Sequence, residues 1–344
     1  MIKIRLSRRR LAVILTSVAI IACAISVWNV WFSRTYIAFV NFQPIALQSF
    51  SQANDNSFVR LFDVATDDIG DLNGYDIIFV NGMGLNITAE QRAHLQQLAE
   101  GGTPVYTTMA TNPDNNITNL TVDETVTVQQ YMMHGGRTNY RNLLRFLRRN
   151  IDGKAAFCDA PEAPEEKPTD YLYFPEADEE RCFTSVADYE RYMKSAGIYV
   201  EGGRRIIVTG QIADPSDLVK ALVATKRYNV YPVTSLARLT DYVAEIRPEA
   251  VINLAHGRLG DDMVELLKAN NTLLFDPLTI NGEAAEWEDD AMGMMGGFLS
   301  QSVVTPEIDG AIRTQVLFAQ KRDDNGLLKS YAIPERLEIF IATV

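Results

Sequence analysis

The chain has 344 residues, 47% of them apolar and 22% charged, with a formal net charge of -12. That length and balance suit two domains with packed cores. A body this acidic repels phosphate backbones, which excludes nucleic acid as a partner.

The basic residues Lys3, Arg5, Arg8, Arg9 and Arg10 all precede Leu11. Residues 11–32 (LAVILTSVAIIACAISVWNVWF) then carry no charge. This segment is about long enough to cross a hydrocarbon core of roughly 30 Å. Trp28, Trp31 and Phe32 lie at its far end, where aromatic rings favour the interface. Positive charge before the segment keeps the N-terminus cytoplasmic, so the body after Ser33 is expected on the other side of a bacterial inner membrane, facing the periplasm. A cleaved signal ending near Ala22-Cys23-Ala24, or a lipid-attachment box at Ile20–Cys23, would place it on the same side. The apolar run continues well past Ala24, which favours an uncleaved single-pass anchor.

Strands are predicted at 35–43, 59–65, 76–82 and 104–109, each a short run rich in β-branched and aromatic residues. Thr88 is positioned to cap a helix that Gly101 ends. A longer helical stretch over about 121–150 breaks near Gly135-Gly136. Residues 155–181 hold Pro161, Pro164, Pro168, Pro175 and many acids, and read as a linker or surface excursion. Cys158 and Cys182 flank it and could pair in an oxidising compartment. No CxxC or Cys/His spacing supports a thiolate metal site. A helix near 184–196 leads to a second alternating set: strand 204–210, a helix opened by Asp214-Pro215, strand 229–235, a helix, strand 250–256, helix 260–271 and strand 272–280.

The expected fold is therefore α/β: an N-terminal transmembrane helix followed by two doubly wound parallel-sheet domains of the flavodoxin or Rossmann kind. The expected divisions are a cytoplasmic basic segment 1–10, the membrane helix 11–32, a first domain 33–154, an acidic linker and helix 155–200, and a second domain 201–280. The remainder, 281–344, is rich in glycine and methionine. It ends in a helix starting near Pro334 and still running at Val344, which reads as the start of a further, truncated domain.

GMMGGFLSQSVVTPEIDGAI (293–312) resembles the signature of the large-subunit family of cobaltochelatase and magnesium chelatase. HGGRTNYRNLLRFL (134–147), NVYPVTS (229–235), VINLAHGR (251–258) and IPERLEIF (333–340) resemble further family segments in the same order. The resemblance covers roughly residues 60–344. It implies a tetrapyrrole substrate whose metal is cobalt, iron or magnesium, with no cofactor bound by this portion. It also implies that ATP is used only through partner ATPase or membrane motor subunits. The absence of GxxxxGK[ST] agrees with that, and no GxSxG or HExxH occurs. Family members are several times longer, and the N-terminal anchor is not typical of them. A body outside the cytoplasm fits capture of imported haem or corrinoid, or removal of its metal, better than ATP-driven cobalt insertion.

His256 ends a predicted strand, where open α/β sheets collect ligands, and can ligate a metal or accept a pyrrole proton. A backbone-bonded histidine is the plain alternative. Arg258 can pair with a ring carboxylate, or merely with a surface acid. Glu307 and Asp309 can move protons as metal enters or leaves, though Asp309-Gly310 is also an ordinary turn pair. Met294 and Met295, with Met292, can make a pliable wall beside a flat ring, alongside Gln301. His134 reads as part of a helix break, and His94 carries no assignment. Two other readings stand beside the chelatase one: an extracytoplasmic small-solute binding module, and a non-catalytic assembly scaffold.

Overall fold

A computed structural model describes residues 8–176, 180–209, 213–234, 236–255, 257–280, 282–323 and 327–344. In chain order the elements begin α1 (Arg8–Trp31), β1 (Thr35–Val40), α2 (Pro44–Ala53), β2 (Val59–Val64), β3 (Ile77–Asn81) and α3 (Ala89–Glu100). They continue β4 (Val105–Thr108), α4 (Val122–His134), α5 (Gly136–Phe146), β5 (Leu172–Pro175), β6 (Glu180–Phe183) and α6 (Val186–Ser195). Next come β7 (Arg204–Thr209), α7 (Ser216–Ala224), β8 (Tyr228–Pro232), α8 (Leu239–Ile246), β9 (Ala250–Asn253), α9 (Asp261–Ala269) and β10 (Leu273–Thr279). The chain closes with α10 (Ala284–Asp289), α11 (Gly296–Leu299), α12 (Thr305–Ile308), β11 (Ile312–Arg322), β12 (Leu328–Ala332) and α13 (Pro334–Thr343).

The chain divides into two compact units. The first holds Met1–Asn41, Asn54–Met133 and Asn139–Pro164; the second holds Phe42–Ala53, His134–Thr138 and Glu165–Val344. In the first unit four parallel strands run in the order β2-β1-β3-β4. Ala38, Val40, Ile78, Val80 and Val105 form one buried face with Leu95 of α3. The α3 cap is the predicted one, completed by a capping box in which Thr88 and Gln91 each accept the other's backbone N–H. The long helical stretch does break at Gly135 and Gly136, both at positive φ, 57° and 77°.

The second unit's six-stranded sheet has the order β12-β11-β10-β9-β7-β8, parallel except for the antiparallel edge strand β12. Ile206, Val208, Ile252 and Phe275 pack with α7 and with Phe340 of α13. Ile207, Val251 and Leu274 pack with Tyr189 of α6, Tyr242 of α8 and Leu267 of α9. Both faces are thus buried, which is why these strands read as continuous apolar runs.

Three expectations change here. Residues 155–200 are no simple linker, because β5 and β6 pair and Leu172, Tyr189 and Met193 are buried in the second unit. Residues 281–344 begin no separate domain, because β11 and β12 extend the second unit's sheet. No disulfide joins Cys158 and Cys182. Cys158 is instead buried in the first unit, its thiol 3.7 Å from the Arg145 carbonyl. As for the expected membrane helix, no helix among the described residues is long and apolar enough to cross a membrane.

Candidate functional site

In the second unit's sheet, β7 is followed by β8 on one side, and β9, β10 and β11 then continue on the other. The order reverses between β7 and β9, and ligands of open parallel sheets gather outside the carboxyl ends of strands at such a reversal. There the apolar strands turn polar. Thr209 ends β7 and is in register with Asn253, which ends β9. Asn253 Nδ2 donates to Asp276 Oδ2 of β10 at 3.4 Å. Asp276 is in register with Arg313 of β11, whose Nη1 donates to Asp276 Oδ1 at 2.5 Å. One polar row therefore crosses four adjacent strands.

The row is buried, with Thr209 0%, Asn253 2% and Asp276 7% exposed. Burial pushes the Asp276 carboxyl up to about 6, against the opposing pull of Arg313 and Asn253. Nearby Asp309 also pushes it up. Among the described residues, the Thr209 hydroxyl and the Nε and Nη2 of Arg313 are enclosed without a hydrogen-bond partner. Nε and Nη2 form the edge of a guanidinium that complements a carboxylate in two-point fashion.

Residues 129–344 match the CobN/Magnesium Chelatase family. The chain belongs to that family. Among solved structures, the chelatase chain is similar to the catalytic subunit of cobaltochelatase from Mycobacterium tuberculosis, at 17% identity and a TM-score of 0.59. That match covers 90% of this chain and 26% of the subunit, so the chain spans about a quarter of the subunit's length. A D-isomer specific 2-hydroxyacid dehydrogenase from Lactobacillus delbrueckii ssp. bulgaricus covers 81% of this chain and 89% of its own at 12% identity. Its TM-score of 0.27 is too low to carry any inference. No curated protein matches the sequence.

The residues that carry the family resemblance are placed unevenly in this chelatase-family chain. His256 lies outside the described residues. Arg258 is already engaged: its Nε donates to Asp309 Oδ1 at 2.7 Å and its Nη2 bonds to Asp261. These bonds raise the guanidinium above its ordinary value, Asp309 contributing most. Asp309 is buried and also accepts the Leu259 N–H at 2.7 Å. Both its oxygens are thus used to clamp the segment after β9 onto the end of α12. Glu307 stands exposed beside it.

Met294 packs against the cluster of Ile280, Val316, Ala319 and Ile333, whereas Met292 and Met295 are 67% and 59% exposed. Gln301 is exposed and sits in a π-helical turn, Ser300–Val304. A depression in the second unit, ≈ 420 Å³, is lined by Leu236, Leu239, Thr240, Leu259 and Asp261–Met263 and by none of these methionines. Among the described residues no group of three or more His, Cys, Asp or Glu could hold a metal. Thr209, Asn253, Asp276 and Arg313 escaped sequence reasoning. The signal was present: Asp276 interrupts the apolar run TLLFDPLTI, and a charge inside a buried strand needs a reason.

Proposed function

We propose that this chain is the macrocycle-holding part of a tetrapyrrole metal chelatase subunit, with the ring seated on the polar row formed by Thr209 and Asn253 at the carboxyl ends of β7 and β9, Asp276 within β10 and Arg313 near the start of β11. The supporting observation is the buried polar row within the family-matched residues. The unpaired edge of Arg313 suits a ring carboxylate. Metal entering a free-base ring displaces the pyrrole N–H protons, and metal leaving returns them. A carboxyl pushed up to about 6, as at Asp276, exchanges protons near neutral pH where an ordinary one would not. The metal is substrate here (cobalt, iron or magnesium), and ATP would act through partner subunits.

The uncharged run 11–32 and the basic residues before it support a chain held at the inner membrane with its body outside the cytoplasm. A reporter fused after Val344 that is active only in the cytoplasm would refute that orientation. Titration with free-base porphyrin and with haem tests the central reading. A saturable Soret shift is expected, and no shift with either ring would overturn it. The ≈ 420 Å³ depression favours the second reading, a small-solute binder, which predicts that silence.

A further inference from the structure

The first unit carries an exposed aromatic stack that α1 shares with a distant loop. Trp28 stacks on Phe32 with centroids 5.5 Å apart at 23°. Phe32 meets Phe157 at 5.5 Å, and Phe157 stacks on Phe58 at 5.2 Å and 10°. Trp28 and Phe157 are each 63% exposed. Phe157 sits at a φ of 53°, a left-handed conformation that a bulky side chain adopts only at a cost.

Arg148 lies beneath the stack. It is fully buried, with its guanidinium 5.1 Å from the Phe58 ring centre. It donates to the Ser33 carbonyl at 3.0 Å, to Thr35 Oγ1 at 2.9 Å and to the Ala156 carbonyl at 3.2 Å. One side chain therefore fixes both the exit of α1 and the residue before Phe157. From Val13 to Trp28 every side chain of α1 is exposed and uncharged. In the sequence, Lys3, Arg5, Arg8, Arg9 and Arg10 precede that run, and Phe32 of the aromatic stack follows it.

We infer that Trp28, Phe32, Phe157 and Phe58 form a platform that seats the first unit on a lipid bilayer. The apolar helix meets acyl chains and the rings lie at the interface, and the positive charge that precedes the run in the sequence favours anionic headgroups. Because Arg148 locks the platform to β1, the unit is held in a fixed attitude and does not swing on a loose tether. This inference is independent of the chelatase reading.

The test uses the full chain with Cys23, Cys158 and Cys182 replaced by serine. A single cysteine is placed by Phe157→Cys, or by Ser57→Cys, which leaves the rings intact, and labelled with nitrobenzoxadiazole. The chain is bound to vesicles of phosphatidylethanolamine and phosphatidylglycerol carrying headgroup nitroxides. Val122→Cys, at a position 78% exposed in the same unit, is the control. Both platform positions should be quenched at least twofold more than the control. Equal quenching at all three positions would overturn the inference. So would concentration-dependent cross-linking of Phe157→Cys chains without extra quenching, which would assign the patch to a second copy.

Discussion

Asp276 sets a specific pH dependence. Its folded-state carboxyl titrates at about 6, above the ordinary 3.8, so its protonated form is the one the fold favours. Its stabilising share is fully present below about pH 4 and is lost as pH rises through about 6, the reverse of a carboxylate whose folded-state value is depressed. A shift of that size corresponds to about 2–3 kcal/mol at most. Chemical denaturation of wild type and Asp276→Asn between pH 4 and pH 7 should show wild type losing stability relative to the variant as pH rises. Parallel curves would contradict the assignment. Asp309 accepts a short bond on each of its oxygens. Asp309→Ala strands the Leu259 N–H and should cost about 1–3 kcal/mol, read as a fall in denaturation midpoint.

At the scale of elements, α2 protects an edge. β12 is the outer strand of the second unit's sheet. Gln48 on α2 is 5% exposed; it accepts the Ser330 N–H of that strand at 2.8 Å and donates to Asp214 Oδ2 at 2.7 Å. A covered edge offers no free row of donors to another chain. Gln48→Ala should cost about 1–3 kcal/mol, seen in the melting curve, because the buried Ser330 N–H loses its partner and the half-buried Asp214 carboxylate loses one of its donors. An unchanged curve would mean that water replaces the side chain at no penalty.

The strands themselves were largely legible in the sequence. All four of the first sheet, and β7 to β10 of the second, lie where β-branched runs predict them, since strands buried on both faces have no choice but to be apolar. The hairpin β5–β6 was not legible, because prolines and acids there mimic a linker and only Leu172 and its neighbours show burial in the fold. Sequence also placed a helix opening at Asp214-Pro215. Asp214 does accept the Ser216 N–H at 2.9 Å, though α7 starts after the proline. The candidate row was not legible, because it depends on register between strands far apart in sequence, as with Asp276 and Arg313.

For the whole molecule, the family membership rests on residues 129–344, the stretch that contains the second unit's entire sheet. The glycine–methionine segment carries much of the resemblance, yet Met292 and Met295 face solvent and Met294 packs inward. The proposed seat of the macrocycle is therefore the polar row, where among the described residues the enclosed Thr209 hydroxyl and Arg313 Nε and Nη2 lack partners. The most direct measurement compares the affinity of wild type and Arg313→Gln for a porphyrin bearing carboxylate side chains, followed by absorbance. A lost charge-assisted pair predicts binding weaker by roughly 10-fold or more, with the fold intact by circular dichroism. Equal affinity in the two proteins would contradict a ring held by this row.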